Sequence, residues 1–452
     1  MVESRAATAA WTSAGHLILR DEPQYFNSYI VYDTVTNTFQ QVRRTILHLL
    51  ESLGASPRCL DCIDEFQAGN GDCVPSNELV SNNWLERTGR GCDHARIKIE
   101  NPPPNWAEMQ PNRPAKVAVL SAPTTATLVL TNRCDLACVH CNVSAASLNG
   151  PERIPATRWQ AVLDELEQIR VFKVVLSGGE PFVYNEFDSL LPYFAGKKFR
   201  KSILTNGTHV TEVHVRLFKK YGITPTLSLD GGDATAHDSF RRSPGSFDAL
   251  LRTLRLLRDH DVPFNIVSVV HKMSADQTRL LAEIAYENMA GTLFLVPLKA
   301  MGRGRAANRW KVDQGTYGAV QDRVAELGPD FPGLTISFDE NLDEDEFGPT
   351  LDKAQFQRTS FGWTSCMAGK NGLVIDHDGQ VYGCMPAMQM KIHPVGSVLE
   401  RSVADIWRGD GWGVFREPVR QGCRATQLYN EVAKRPVGRR LLPVEPISII
   451  TN

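Results

Sequence analysis

No apolar run in this chain is long enough to read as a membrane span, and Met1–Gly15 lacks the charged-then-apolar pattern of a secretory signal. Neither sign of charge dominates. Lys and Arg number 49 and Asp and Glu 51, a formal net charge of −2, so no global basic field points to nucleic acid or an anionic membrane surface. Internal repeats and long low-complexity tracts are also missing. These absences lead to the expectation of a cytoplasmic protein with neither membrane nor nucleic acid as partner. What is present is 452 residues, 42% of them apolar, enough for two or three domains with a sizeable core.

Ten cysteines in such a chain read as metal or redox ligands rather than disulfides. They fall into three groups: Cys59, Cys62, Cys73 and Cys92; Cys134, Cys138 and Cys141; and Cys366, Cys384 and Cys423. The first group opens with a C-x₂-C pair but continues at irregular spacing around the flexible Gly69–Asp72 segment, so it reads either as a zinc site or as ordinary reduced thiols. The second is the most concentrated, three thiols at C-x₃-C-x₂-C spacing just after the apolar run Ala126–Leu130. Soft ligands on one short loop suit a soft centre, iron–sulfur above all, with an incomplete structural zinc site as the alternative. Three ligands on a four-iron cube leave one iron without a protein ligand, where a small molecule can bind, as at the open position of a catalytic metal site.

Residues 1–100 have the pattern of a small α+β domain. His16–Arg20, Tyr29–Tyr32 and Thr38–Gln41 are strand-like, Val42–Leu53 has helical apolar spacing, and Glu78–Arg87 is a second candidate helix. Asn101–Pro104 and Pro111–Pro114 mark a proline-rich linker over 101–120. From residue 121 to about 310 apolar runs alternate with amphipathic helices. The runs are Ala126–Leu130, Lys173–Leu176, Ser202–Leu204, Pro225–Leu229, Asn265–Val270 and Thr292–Val296. Between them, Trp159, Val162, Leu163, Leu166 and Ile169 share one helix face, as do Phe247, Leu250, Leu251, Leu254 and Leu257. Six strand–helix units imply a parallel α/β sheet, open or barrel-like, with chemistry at the C-terminal strand ends.

The cysteine loop resembles that of the radical S-adenosylmethionine (SAM) enzymes, and the downstream strand ends carry the same resemblance in order. Ser177 leads into Gly178, Gly179, Glu180 and Pro181, similar to the family's GGEP motif, which bonds the SAM amino group. Thr205–Asn206–Gly207 resembles its TNG element. Ser228–Leu229–Asp230–Gly231, with His237–Asp238 and Arg241, resembles its SLDG…HD…R element. Val296–Pro297–Leu298 with Gly302–Arg303 is similar to its sixth strand end, where backbone meets adenine, and His140 stands where the family often has an aromatic residue packing near adenine. The resemblance implies a partial (β/α)₆ TIM-like barrel with a [4Fe–4S] cluster on Cys134, Cys138 and Cys141. It also implies SAM held by Gly178, Gly179, Glu180, Pro181, Asn206, Ser228, Asp230, Arg241 and Leu298. Ser228 would bond the ribose or carboxylate of SAM, and Arg241 would pair with the carboxylate through its fork. Asn206 and Asp230 are weaker evidence, because Asn-Gly and Asp-Gly are also plain turns.

Residues 311–360, with the acidic run Asp339–Glu346, are expected to connect the barrel to a C-terminal unit at 361–452. There Asp378–Gly379 between short apolar runs signals a hairpin that would bring Cys366 and Cys384 together. With Gly396–Val398, Ile406–Trp407 and Arg416, this resembles the auxiliary-cluster extensions called SPASM or twitch domains. The full pattern has several more cysteines, whereas here only Cys423 follows. The resemblance thus implies one auxiliary iron–sulfur cluster, of the [4Fe–4S] type, on Cys366, Cys384 and Cys423. The alternative is a structural metal or three reduced thiols. Residues 1–100 resemble, in pattern only, the winged-helix-like (PqqD-like) domain that binds a leader peptide by β-augmentation in enzymes modifying ribosomally made peptides.

Together these resemblances imply a radical SAM maturase that generates a 5′-deoxyadenosyl radical and installs an oxidative cross-link, carbon–carbon or thioether, in a precursor peptide. Flavodoxin or ferredoxin would serve as reductant. Epimerisation, sulfatase-type maturation and small-molecule dehydrogenation are the enzymatic alternatives. A non-catalytic iron–sulfur sensor is the reading from another class.

Overall fold

The computed structural model describes three N-terminal strands, residues 120–299, 301–338 and 368–416, and Ala425 and Leu428. The N-terminal strands are β1 (Leu17–Glu22), β2 (Ser28–Asp33) and β3 (Thr38–Arg43), an antiparallel sheet in the order β1-β2-β3. They match the three expected strand segments. Strand β3 runs on to Arg43, through the first two positions of the helix expected over Val42–Leu53, and the rest of that segment lies outside the described residues. So do the second candidate helix, Cys59, Cys62, Cys73 and Cys92, the proline-rich linker, the acidic run, Cys366 and Cys423.

The six apolar runs form strands β4 (Thr125–Val129), β5 (Lys173–Ser177), β6 (Arg200–Thr205), β7 (Ile223–Ser228), β8 (Asn265–Val270) and β9 (Thr292–Pro297). All pair in parallel and stand in chain order, without the reversal that marks a doubly wound sheet. Each crossover carries a helix whose apolar stripe packs on the strands. On Ala156–Gln168 the buried residues Trp159, Val162, Leu163 and Leu166 recur at helical spacing, and on Ser246–Asp259 Phe247, Leu250, Leu254 and Leu257 do the same. This singly wound, chain-order arrangement is that of the partial (β/α)₆ barrel, its sheet unclosed at the two edges. All six C-terminal strand ends share one rim.

Two features extend the sheet beyond expectation. The segment expected only to connect adds the helix Gln314–Leu327 and a seventh parallel strand, β10 (Thr335–Phe338), beside β9. At the other edge, β11 (Gly372–Ile375) pairs in parallel with β4, and β12 (Gln380–Tyr382) and β13 (Gly396–Ser397) follow it antiparallel. The C-terminal unit therefore continues the barrel sheet. Asp378–Gly379 is the hairpin turn, with Gly379 at φ +85°, a left-handed conformation that glycine adopts at no steric cost.

One continuous apolar core joins barrel and hairpin. Trp407, Trp412 and Phe415 are fully buried in it, and Trp407 Nε1 donates to the carbonyl of Leu120 at 2.7 Å, tying the C-terminal helices to the entry of β4. The Arg416 guanidinium stacks on Trp407 and Trp412 and donates to the carbonyls of Gly369 (3.0 Å) and Trp407 (2.9 Å).

Candidate functional site

The cysteine loop crosses the rim directly after β4, and segments that follow β5, β6 and β9 hold it. From β5, the Gly179 N–H donates to the carbonyl of Thr131 and the Glu180 N–H to that of Arg133, both at 2.8 Å. A Cβ on Gly179 would lie 2.1 Å from the Arg133 carbonyl oxygen, so only glycine allows this approach. The Gly179 and Glu180 N–H groups thus brace the loop, which leaves carbonyls as the strand-end groups suited to an ammonium donor.

From β6, the Asn206 side-chain amide and the Thr208 hydroxyl donate to the two carboxylate oxygens of Asp135, at 2.8 and 2.7 Å, and His209 Nε2 stands 3.2 Å from the same group. Glu180 links β5 to β6. Its buried carboxylate accepts from Thr205 Oγ1 (2.7 Å), the Asn206 N–H (2.8 Å) and the Phe182 N–H (3.3 Å). Burial raises this carboxyl from 4.5 to about 7 against the pull of those three donors.

From β9, Arg303 closes the third side. Its N–H donates to the carbonyl of Cys141 (3.0 Å), and its guanidinium to those of Cys138 (2.9 Å) and Ala145 (2.7 Å). Gly302, at φ +52°, admits this crossing, since a Cβ there would fall 2.3 Å from the carbonyl oxygens of Cys141 and Asn142. Asp135, Thr208 and the clamp role of Arg303 were missed from sequence. Asp135 is an unassigned position between ligands, and what it bonds lies a full βαβ unit away.

Asp230 and Arg241, expected as separate SAM contacts, form a buried ion pair at 2.7 Å. Burial alone would raise the Asp230 carboxyl. Arg241, with His140 and His237 near it, holds it well below the usual carboxylate range, and its other oxygen accepts from the Val269 N–H at 2.8 Å. His140 stacks on Phe240 (4.3 Å, 9°), which stacks on His271 (3.9 Å, 20°). Burial lowers His140 to about 4, so it is neutral at pH 7 and packs as an aromatic ring. Beside it lies a cavity of about 210 Å³ lined by His140, Asn142, Val269, Val296, Pro297, Leu298 and Lys299. Leu298 is buried, and its N–H donates to Tyr317 Oη at 3.0 Å. Ser228 ends β7 half-buried on the same rim, and Pro181 is buried at the start of a 3₁₀ turn.

The donor set fits an iron–sulfur cluster with a bound zwitterion. Backbone N–H groups of Leu136 and Ala145 point at the sulfurs of Cys134 (3.4 Å) and Cys141 (3.3 Å). Burial pushes the Cys134 and Cys138 thiols up, so a metal must displace their protons, and the Arg241 and Arg303 charges work in that direction at Cys138. Arg241 Nε, Arg303 Nη2 and His140 Nδ1 are buried at this site without a hydrogen-bond partner. Among the described residues no three His, Cys, Asp or Glu side chains converge on a single metal ion.

Cys384 lies at the opposite end of the sheet. Gly372 is level with Thr125, and β12 returns antiparallel, so Cys384, two residues beyond Tyr382, emerges where β4 begins. The Gly369 N–H donates to the Gly383 carbonyl at 3.2 Å, which brings the turn before β11 against the residue that precedes Cys384.

Residues 128–283 match the radical SAM superfamily and residues 366–427 the SPASM iron–sulfur cluster-binding domain. The mycofactocin maturase MftC of Mycolicibacterium smegmatis is 30% identical over 310 residues, covering 68% of this chain and 76% of that protein. An AdoMet-dependent heme synthase of Methanosarcina barkeri is 31% identical over 189 residues, 42% of this chain and 54% of that one. In fold, the chain is similar to Streptococcus suis SuiB bound to precursor peptide SuiA, with a TM-score of 0.65 and 17% identity over 94% of this chain and 97% of that one. With a cysteine loop clamped by segments that follow three strands and a C-terminal hairpin continuing the same sheet, this chain belongs to the radical SAM superfamily and carries its SPASM iron–sulfur cluster-binding domain.

Proposed function

We propose that this chain is a peptide maturase that installs an oxidative cross-link, carbon–carbon or thioether, in a ribosomally made precursor. Cys134, Cys138 and Cys141 hold the SAM-binding [4Fe–4S] cluster, and Cys366, Cys384 and Cys423 hold the auxiliary one. Held there, SAM and the first cluster would supply the radical chemistry that removes a hydrogen atom from an unactivated carbon, and a centre on Cys366, Cys384 and Cys423 would supply a sink for the electron that a net oxidation leaves over.

The protein's own residues position and shield. Strand-end carbonyls near Gly178 and Gly179 face the SAM ammonium. Arg241, oriented by Asp230, offers its unpartnered Nε to the carboxylate, with Ser228 alongside. The cavity between His140 and Leu298 takes the adenine. One observation carries the oxidative reading: the register places Cys384 at the far end of β4 from the Cys134 loop. A five-residue strand spans roughly 17 Å, so a substrate inside the barrel lies between the two centres. The peptide as substrate is supported by the resemblance to MftC and by the fold shared with SuiB. Strands β1–β3 supply sheet edges that a leader strand can extend.

The test is anaerobic incubation with SAM, reductant and the peptide encoded beside this gene. The expected products are 5′-deoxyadenosine and a peptide lighter by two hydrogen atoms. A peptide of unchanged mass that gains solvent deuterium would point to epimerisation. No 5′-deoxyadenosine from a chain with intact cluster and peptide would overturn the enzymatic reading. The heme synthase relative favours a second reading, oxidation of a small molecule. Turnover with no response to removal of residues 1–100 would support it.

A further inference from the structure

The stretch Lys299–Lys311 contains five basic residues, Lys299, Arg303, Arg305, Arg309 and Lys311, and no acidic one, in a chain whose charges otherwise nearly balance. Arg303 turns inward to the cysteine loop, whereas Arg305, Arg309 and Lys311 are exposed. Lys272 joins them from the end of β8, its N–H donating to the Trp310 carbonyl at 2.9 Å. Lys272, Arg309 and Lys311 pair with no carboxylate among the described residues. Met273, 38% exposed, adds a soft apolar spot beside Lys272. The nearest acid in sequence, Asp313, is occupied in capping its own helix at Thr316.

Trp310 lies under this face, 7% exposed, with the Arg309 guanidinium 5.3 Å from its ring centre. Its ring is 5.2 Å from Phe240 and 5.4 Å from His271. Phe240 stacks on His140, between Cys138 and Cys141, and its carbonyl accepts from the Val139 N–H at 3.0 Å. Val139, Phe240, Leu298, Ala307 and Trp310 form a packed cluster of their own. An unbroken aromatic column thus joins the cysteine loop to the basic face.

We propose that the face formed by Lys272, Arg309 and Lys311 around Trp310 docks a small acidic one-electron carrier protein, and that the column behind it is the electron's path to the loop. The carrier loses one electron, the centre on the loop gains it, and no proton or covalent bond changes hands. The proposal rests on the reading of Cys134, Cys138 and Cys141 as cluster ligands. Charge complementarity of this kind acts on the rate of encounter and weakens with salt.

The test uses the reconstituted full chain, with reduced flavodoxin or the small cationic reductant methyl viologen, and follows bleaching of the visible iron–sulfur band. The flavodoxin rate is expected to fall steeply with added salt. In the K272E/R309E/K311E variant it should fall about tenfold or more at low salt, within the range that steering spans, while the viologen rate does not drop. The K272Q/R309Q/K311Q variant should lie between, and with the salt series it decides the matter if the reversal variant does not fold. A flavodoxin rate indifferent to salt, or equal in the variants, overturns the docking face. A chain that forms no visible band overturns the cluster reading instead. The docking face is then judged on salt-dependent binding of oxidised flavodoxin to the unreconstituted chain, and absence of that binding overturns it separately.

Discussion

The Asn206 side-chain amide donates a 2.8 Å hydrogen bond to the carboxylate of Asp135, so the end of β6 holds the cysteine loop through a residue that is not itself a ligand. The other Asp135 oxygen accepts from Thr208, with His209 at 3.2 Å. Two of these partners come from the Thr205–Asn206–Gly207–Thr208 turn, and Asn206 Oδ1 also accepts from the Thr208 N–H at 2.9 Å, which pre-forms the turn. The strand-end motif therefore braces the cysteine loop directly.

Asp135→Ala strands the Asn206 amide, while the Thr208 hydroxyl keeps a second acceptor, Asn206 Oδ1, at 2.7 Å. A part-buried donor left without its partner costs about 1–3 kcal/mol, felt locally by the loop. The expected outcome is a barrel that melts close to the parent temperature but retains less iron and sulfide after reconstitution and desalting. Asp135→Asn, which keeps one acceptor oxygen, should retain more. Equal iron retention in all three chains would show that the strap is idle.

Gly179 and Gly318 give a matched pair of substitutions. At Gly179 a Cβ meets the Arg133 carbonyl oxygen at 2.1 Å and its carbon at 2.6 Å, so Gly179→Ala must displace the cysteine loop. At Gly318, inside the helix Gln314–Leu327, a Cβ meets nothing within 4 Å. Gly318→Ala should therefore be neutral or stabilising by up to about 1 kcal/mol, whereas Gly179→Ala should abolish cluster assembly. Visible absorbance after reconstitution, with thermal melts of both, separates the outcomes.

How far the sequence could be read follows from which contacts are local. The six parallel strands were legible because each is a compact apolar run between amphipathic helices. The Asp378–Gly379 hairpin was legible because turn chemistry is written in two residues. The pairing of β11 with β4 was not, since Gly372 and Thr125 are far apart in the chain and nothing local in either names the other. The seventh strand, Thr335–Phe338, is short and half-exposed, so it lacks the apolar run that marked the rest. Of the site, the cysteine loop was legible as a motif, but the Asp230–Arg241 ion pair and the Arg303 clamp are products of the fold. They required knowing which strand ends share the rim.

Glu180 should leave a signature in the pH dependence of stability. Its carboxyl moves from 4.5 to about 7 on folding, so between these values the folded chain holds a proton that the unfolded chain has released. Its contribution is then fully present below pH 4.5 and lost as pH rises through about 7, worth on the order of a few kcal/mol. Asp230 acts in the opposite sense: its depressed carboxyl contributes above the ordinary carboxylate range and loses that contribution as pH falls. Glu180→Gln should therefore remove a downward slope in denaturation free energy between pH 5 and 8, measured on the cluster-free chain. It should leave the acid limb intact. Parallel profiles for parent and variant would show that Glu180 is already ionised across this range.

The two cysteine groups should empty independently, because the Cys134 loop and Cys384 stand at opposite ends of β4. Replacing Cys134, Cys138 and Cys141 by alanine should remove roughly half of the iron bound after reconstitution and all SAM-dependent change in the electron paramagnetic resonance signal. Replacing Cys384 alone should remove roughly the other half and leave the SAM-dependent signal in place. Cys384 also caps the short helix Met385–Gln389, its sulfur accepting from the Ala387 N–H at 3.5 Å. Cys384→Ser keeps a capping oxygen while weakening iron ligation, and so separates the two roles. If the serine variant melts like the parent but loses the same iron as the alanine variant, ligation is the function of the sulfur. If it retains full iron, the auxiliary centre does not depend on Cys384, and the reading of Cys366, Cys384 and Cys423 as one ligand set fails.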